Sequence, residues 1–314
     1  MAATQLNLVE LIEQMPATDR ELQAEKAAQQ EKPEQPKPPR RPDREGQGSK
    51  FTGPDPAAAE KMCEQVLAGG RASVDELIAL IRDPGDPEFK NYKAEYLLHC
   101  LTLYVGRPGH EKHRNLFVET LARHVGNPKL NKVVRGFLVR ELQLVGDKSV
   151  TGPLGRLLDD EDLCADAAAA LVAIGDGAAE QLRGALPRAQ GKCRLILVQN
   201  LGVVRDARSV AALQKAASDE DRDTRLAAVW ALANIGDARS VSLLLKAADA
   251  EPFFERTKAA QACLVLAESL VAAGQKDDAV KIYNHLRSTR TDPKEQYLRE
   301  LATKALTQLG GKLT

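Results

Sequence analysis

The residues with the clearest potential for metal chemistry are His110, Glu111 and His113. Imidazole and carboxylate groups are common zinc ligands, but a site needs three or four of them to converge. This segment follows a Pro-Gly turn, so we expect its side chains to face water instead of gathering around an ion. We therefore predict no metal and no other cofactor. The chain has five histidines in all: His99, His110, His113, His124 and His285.

Candidate nucleophiles are few and isolated. The five cysteines have no Cys-x-x-Cys spacing, so we interpret them as reduced thiols that pack as small apolar side chains. Serines at 149, 209 and 240 recur without the Gly-x-Ser-x-Gly context of a hydrolase. We predict no catalytic residue. The cysteines are Cys63, Cys100, Cys164, Cys193 and Cys263.

Arginine recurs at the start of successive apolar segments, and the steps from Arg194 to Arg225 and from Arg225 to Arg256 are each 31 residues. Arg135 is an earlier member of the series. One interpretation is a row of anion-binding groups along a surface. The other pairs each arginine with a carboxylate across the repeat turn, and we favour it because guanidinium groups bind carboxylates well. Nearby carboxylates are Asp219, Asp221 and Glu255.

These arginines belong to a longer repeat. The sequence Asp-Ala-Arg-Ser-Val occurs at 206–210 and again at 237–241, and residues 146–150 form a looser copy. Aspartates at 147, 176, 206 and 237 are 29, 30 and 31 residues apart. We expect each to cap the next helix, which is worth about 1 kcal/mol. A helical period near thirty is typical of a solenoid, in which neighbouring units bury one another's apolar faces.

The repeat resembles the HEAT-repeat family, in particular the short repeats of phycobilisome lyases. The resemblance is good over 130–250 and weaker over 56–129, and Arg205 replaces the glycine that ends the second helix in other units. It implies an all-α fold: a right-handed α-solenoid of stacked antiparallel helix pairs. The residues that match the family unit most closely are Asp221, Arg225, Ala228, Leu232, Ile235, Gly236 and Asp237.

The two ends of the chain differ from this repeat. Residues 251–314 are predicted to contain one unit that resembles a tetratricopeptide repeat, followed by a capping helix. Residues 1–55 are predicted to be a disordered N-terminal arm that contains an amphipathic helix within 1–32 and a proline-rich linker over 33–55. The helix is either loosely ordered or a docking helix for a partner groove. The tetratricopeptide-like positions are Ala262, Leu266, Ala267, Leu270, Gly274, Ala279 and Tyr283.

The composition argues against two classes of protein. Lys+Arg and Asp+Glu both number 44, whereas proteins that mainly bind nucleic acid usually carry an excess of basic residues. No apolar run approaches the about 20 residues that span a bilayer. Glu10 and Glu13 interrupt the apolar N-terminus, which is unlike a secretory signal. We therefore expect no membrane association and a cytoplasmic location, and the charge balance argues against nucleic acid as the main partner.

Trp230 is the only tryptophan. It falls in the second helix of the best-matching repeat, where it either fills the core or forms an aromatic anchor on the concave wall. We favour burial, because large aromatic side chains bury much apolar surface. If it were exposed, it would become the leading candidate for a binding hot spot.

These observations predict a non-catalytic scaffold that binds a protein or peptide in the groove lined by second helices. Two alternatives remain open: a lyase-like accessory or chromophore-binding protein, and a HEAT-like nucleic-acid binding protein that uses basic residues between Arg107 and Lys148. Deoxyhypusine hydroxylases are HEAT-repeat enzymes that hold two irons with several His-Glu pairs, and this chain has only His110-Glu111. The residues we predict to line the binding groove are Arg194, Gln199, Arg225, Trp230 and Asn234.

Overall fold

The computed structural model describes residues 7–15, 56–82 and 92–310. Every regular element in these ranges is helical, which confirms the predicted all-α class. The chain divides into two compact units, Met1–Val145 and Gly146–Thr314. Most of the predicted N-terminal arm lies outside the described residues, and the part that is described holds one short helix. The predicted repeat boundaries at 56–129, 130–250 and 251–314 stay predictions.

In the first unit, helices pack in alternating rows. Helix α2 packs on α4, and α4 packs on α6, while α3 packs on α5. Apolar side chains at steps of three and four, such as Val134, Leu138 and Leu142 on α6, are buried between these rows. The helices are α1 (Leu8–Glu13), α2 (Pro56–Ala68), α3 (Gly70–Ala79), α4 (Tyr92–Val105), α5 (Glu111–Val125) and α6 (Lys132–Val145).

In the second unit, the helices again form pairs that stack. The second helices of successive pairs, α8, α10, α12 and α14, pack against one another in series, and α16 packs on α14. This serial packing is the solenoid arrangement that the repeat predicts; its handedness remains a prediction. The helices are α7 (Thr151–Gly155), α8 (Cys164–Ile174), α9 (Ala178–Ala185), α10 (Gly191–Val203), α11 (Val210–Ala216), α12 (Arg222–Ile235), α13 (Val241–Ala248), α14 (Phe253–Ala272), α15 (Lys276–Thr289) and α16 (Gln296–Gln308).

The repeated aspartates do not all act as caps. The side chain of Asp147 accepts a hydrogen bond from the backbone N–H of Ser149 at 2.8 Å, and Asp237 accepts one from Arg239 at 2.9 Å. Asp206 makes no such cap. Its carboxylate instead accepts hydrogen bonds from the Ser209 hydroxyl and from Nη1 of Arg183, the latter at 2.6 Å. The capping prediction is thus confirmed at 147 and 237. It is wrong at 206, because a guanidinium from α9 competes for that carboxylate, and at 176, because Gly177 is the N-cap of α9 and Asp176 pairs with Lys148 at 3.2 Å instead.

The two identical pentapeptides also differ at their serines, which are both fully buried. The Ser209 hydroxyl donates to Asp206, but the Ser240 hydroxyl has no hydrogen-bond partner among the described residues. In the second copy, Asp237 is occupied instead by the guanidinium of Arg239, which lies 2.6 Å from it. The same five residues therefore make different bonds in the two repeats.

The turn that ends the second helix requires a left-handed backbone. Gly236 adopts φ 77° there, and Gly175 adopts φ 78° at the end of α8. Arg205 occupies the corresponding place after α10 with φ 51°, and it is the one non-glycine residue with positive φ in the described ranges. A side chain with a Cβ is strained in this conformation. The backbone of the repeat is kept at this position despite the unfavourable residue.

Candidate functional site

Arg194 and Asp219 form an ion pair within the second unit. Nε of Arg194, on α10, donates to Oδ2 of Asp219 at 2.7 Å, and both side chains are largely buried. Asp219 lies in the turn before α12, so the pair ties two consecutive repeats together. The hydrogen bond from Arg194 is the main reason that the pKa of Asp219 is lowered from its ordinary value.

Arg225, one repeat later, is bound more fully. Its Nε and Nη2 donate to the two carboxylate oxygens of Glu255 at 3.1 and 2.8 Å, and Nη1 donates to the backbone carbonyls of Asp219 and Glu220 at 2.9 and 3.0 Å. This bidentate contact raises the pKa of Arg225. The guanidinium is therefore held by the protein's own oxygens.

The other two members of the arginine series are also partnered. Arg256 pairs with Glu251 at 2.7 Å and with Glu295 at 3.2 Å. Arg135 donates from Nε to the carbonyl of Val125 at 2.8 Å, so its recorded partner is a carbonyl instead of a carboxylate. The structural interpretation of the series is confirmed for the three arginines of the second unit.

Trp230 is 43% exposed, so the expected burial is wrong. The cause lies in the contact between α10 and α12. A Cβ built on Gly202 would lie 2.6 Å from Cα of Ala231 and 2.8 Å from Cζ3 of Trp230. The two helices approach closely at this glycine, and one edge of the indole ring packs against it. The rest of the ring is left at the surface.

A groove between α12 and α14 begins at this tryptophan. A pocket of 310 Å³ lies there, and its polar lining side chains are limited to Lys258, Gln261 and the indole N–H. Concave sites of this kind, with mostly apolar walls and a few polar groups, are typical of ligand-binding surfaces. The pocket is lined by Leu226, Val229, Trp230, Ala233, Lys258, Gln261, Ala262 and Val265.

A second pocket of 470 Å³ continues from the first, because Leu226 and Val229 line both. It extends between α12 and the α13–α14 turn and contains the Arg225–Glu255 pair together with Lys246, Glu251 and Pro252. The two pockets form one groove, apolar at the Trp230 end and charged at the Arg225 end. We call this the α12–α14 groove.

Exposed apolar side chains extend the apolar end across further helices. Val265 on α14 is 39% exposed and Tyr297 on α16 is 41% exposed. The hydroxyl of Tyr297 accepts a hydrogen bond of 2.7 Å from Nε2 of Gln261, a residue of the smaller pocket. We call Trp230, Val265 and Tyr297 the apolar strip.

The predicted binding residues are thus distributed unevenly. Trp230 and Arg225 line the two parts of the groove, whereas Arg194, Gln199 and Asn234 line neither pocket. The side-chain amide of Asn234 donates to the Trp230 carbonyl at 2.8 Å, and Gln199 is exposed on α10. Sequence reasoning missed Val265 and Tyr297. Their signal was available, because each is an apolar residue outside the buried stripe of its helix.

Other chemically interesting groups are occupied or buried. His110 packs on the ring of Tyr104 with centroids 4.3 Å apart, and the backbone N–H of Gly109 donates to Glu111 at 3.0 Å. Burial raises the pKa of the Cys63 and Cys263 thiols to about 12. Across 7–15, 56–82 and 92–310, no three His, Cys, Asp or Glu side chains cluster as metal ligands. None of the helices in those ranges has the length and apolar content needed to cross a bilayer.

Comparison with protein families identifies one part of the chain. Residues 179–265 match the family model described as HEAT repeats. This range runs from α9 into α14 and includes the α12 side of the groove. The HEAT-repeat prediction is therefore confirmed for this part of the chain. No curated protein matches the sequence.

Several solved structures match this chain at low sequence identity. The complex of CpcE and CpcF of phycocyanin lyase from Nostoc sp. PCC7120 is 18% identical, with 92% of this chain and 96% of that chain covered and a TM-score of 0.35. Human deoxyhypusine hydroxylase in complex with glycerol is 17% identical, with 76% and 96% covered and a TM-score of 0.33. An engineered protein is 20% identical, with 76% and 97% covered and a TM-score of 0.29.

Proposed function

We propose that the HEAT repeats of this chain form a non-catalytic scaffold that binds a protein or peptide through the α12–α14 groove. The observation that carries the proposal is the exposure of Trp230 at the apolar end of that groove. Stacked helical repeats commonly use such extended surfaces for binding. Exposed tryptophan beside an apolar pocket has the composition of an interface hot spot.

The energetics favour a partner over free exposure of these side chains. A tryptophan contributes about 150–250 Å² of contact area when it is covered, and apolar area removed from water stabilises a complex by roughly 25 cal/mol per Å². Trp230 and Val265 line the same pocket, so one apolar side chain of a partner can cover both. We therefore place the centre of the interface at this pocket.

The charged end of the groove supports a binding role over a catalytic one. Arg225 and Glu255 are bound to each other, so neither side chain is free to transfer a proton or to attack a substrate. Such a pair can still accept hydrogen bonds or make polar contacts at the rim of an interface. We assign it the role of holding α12 and α14 at the spacing that keeps the groove open.

Site-specific photo-crosslinking tests this proposal. A photoreactive phenylalanine derivative placed at Trp230 or Val265 should crosslink one defined protein from the native cell extract, with competition by unlabelled chain. The control position is Leu103, which is 52% exposed on α4 of the first unit and should not yield that product. For the purified partner, Trp230→Ala should weaken binding about 30-fold, since hot-spot truncations cost about 2 kcal/mol or more.

Two other outcomes would replace the proposal. A change in absorbance on titration with a bilin or haem would favour the chromophore-binding alternative, provided that the crosslinked partner does not alter that change. Salt-sensitive retention on DNA or RNA would favour the nucleic-acid alternative. Equal crosslinking from Trp230 and Leu103 would contradict the assignment of the groove.

A further inference from the structure

The N-terminal helix α1 is docked on the first unit by its whole apolar side. Leu8 is fully buried, and Leu11 and Met15 are each 3% exposed. Val9, on the opposite side, is 52% exposed. The buried residues are three and four positions apart, which is the spacing of an amphipathic helix lying in a groove.

The groove that receives α1 is formed by α3 and α4. Both helices carry fully buried apolar side chains, among them Leu77, Ile78 and Leu97. A polar contact fixes the direction of the docked segment: Nζ of Lys93, at the start of α4, lies 2.7 Å from the carboxylate of Glu13. The Lys93 side chain is 18% exposed and that of Glu13 is 66% exposed, so only the Lys93 end of the contact is shielded from solvent.

Two features distinguish α1 from the two helices on which it packs. It has six residues, whereas its neighbours α3 and α4 have 10 and 14. A helix of this length is unstable alone in water, so docking and helix formation depend on each other. Residues 16–55 separate it from α2, so it is joined to the unit by a long stretch of sequence instead of a repeat turn.

We infer that the α3–α4 groove is a peptide-binding site and that residues 7–15 are its resident ligand, bound within the same chain. The ligand class is an acidic amphipathic helix with large apolar residues spaced as Leu8, Leu11 and Met15 are, at steps of three and four, and with a carboxylate that reaches Lys93. Because α1 is covalently attached, a modest intrinsic affinity keeps the site occupied. A partner helix of the same pattern binds when it displaces α1, which makes α1 a competitive inhibitor of this site.

The test uses the full-length chain and a fluorescent peptide of residues 5–17, followed by fluorescence anisotropy. In the variant Leu8→Asp/Leu11→Asp the attached helix no longer docks, so the free peptide should bind about tenfold more tightly than to the unaltered chain. The matched control is Val9→Asp/Gln14→Asp, which adds the same charge at exposed positions and should bind as the unaltered chain does.

A charge exchange tests the geometry. Lys93→Glu in the Leu8→Asp/Leu11→Asp chain should weaken binding about threefold, and a peptide carrying Glu13→Lys should recover most of the loss. Trp230→Ala should leave peptide binding unchanged, which separates this site from the α12–α14 groove.

Two results would overturn the inference. The first is a loss of helical circular dichroism in Leu8→Asp/Leu11→Asp that exceeds the six residues of α1, since α1 would then be an integral part of the fold. The second is peptide binding that is equal in the unaltered and undocked chains, or that is missing from the undocked chain at about millimolar peptide.

Discussion

Arg225 and Glu255 are joined by two hydrogen bonds of 3.1 and 2.8 Å, and this contact links α12 to α14 along the edge of the groove. The side chains are 29% and 18% exposed. A partly shielded, bidentate pair of this kind contributes more than a surface pair. Through this contact the repeat arginine helps to set the distance between α12 and α14, and therefore the shape of the proposed binding surface.

The first prediction concerns the stability of that contact. Arg225→Ala should lower the free energy of unfolding by roughly 2 kcal/mol, because it leaves Glu255 and two carbonyls without their donor. Arg239→Ala is the control: Arg239 is 64% exposed and pairs with Asp237 at the surface, so its loss should be clearly less destabilising than that of Arg225. Urea unfolding measures both. Equal losses of unfolding free energy in the two variants would show that the shielded pair stabilises the protein no more than the surface pair does.

The second prediction compares the same serine-to-alanine substitution in the two identical pentapeptides. Ser209→Ala should destabilise the protein by about 1 kcal/mol, because it removes a buried hydroxyl that donates to Asp206. Ser240→Ala should be neutral or stabilising by a similar amount, because the buried hydroxyl it removes has no partner among the described residues. Thermal unfolding of both variants checks the order. The idea fails if Ser240→Ala is the more destabilising change.

The third prediction concerns backbone strain. Arg205→Gly should raise the stability by about 0.5–1 kcal/mol, since glycine adopts φ 51° without a Cβ clash. Gly236→Ala should lower the stability by about 1 kcal/mol or more, since φ is 77° and the new Cβ would lie 2.9 Å from Cβ of Ser269. Opposite shifts in the urea midpoint are expected, and shifts of the same sign would contradict this account.

The fourth prediction is optical. Trp230 is the only tryptophan, so emission excited selectively from tryptophan, and not from the five tyrosines, reports on the groove alone. With 43% of the residue exposed, we expect red-shifted emission and ready quenching by acrylamide in the native protein. Partner binding should shift the emission to the blue and slow the quenching. Native emission that resists acrylamide would place the ring in the core and remove the basis of the proposed interface.

The fifth prediction concerns acid. The Arg194 hydrogen bond lowers the pKa of Asp219 below its unfolded value of about 3.9. The contribution of this pair to stability is therefore present above that unfolded value and is lost as the pH falls through the lower, folded pKa. Asp219→Asn should reduce the slope of stability against pH below about pH 4. Parallel profiles for the variant and the unaltered chain would contradict the assignment.

The repeat and its ion pairs could be predicted from sequence because both are local or periodic. Arg225 and Glu255 are one period apart, so the geometry of a repeat already brings them close. The exposure of Trp230 could not be predicted in the same way. It depends on how near α10 approaches α12, and that distance is set by Gly202 and Ala231, which are ordinary small residues in the sequence.

The position of α1 illustrates a second limit. The apolar side of residues 7–15 was visible as a pattern, but the pattern fits a partner's groove and the chain's own groove equally well. The deciding contacts, such as the one between Glu13 and Lys93, join positions that are 80 residues apart with no periodic relation. Pairings of this kind are specified only by the folded structure.

The unequal bonding of Asp206 and Asp237 has a consequence for how such proteins can be altered. The two copies have the same backbone turn, yet Arg183 takes up the carboxylate in one copy and Arg239 in the other. A grafted or duplicated copy of this segment would keep the backbone turn. The ion pairs of its aspartate would depend on which helix packs next to the copy. Engineers who lengthen the array should therefore transplant α9 together with the pentapeptide that follows α10, and not the pentapeptide alone.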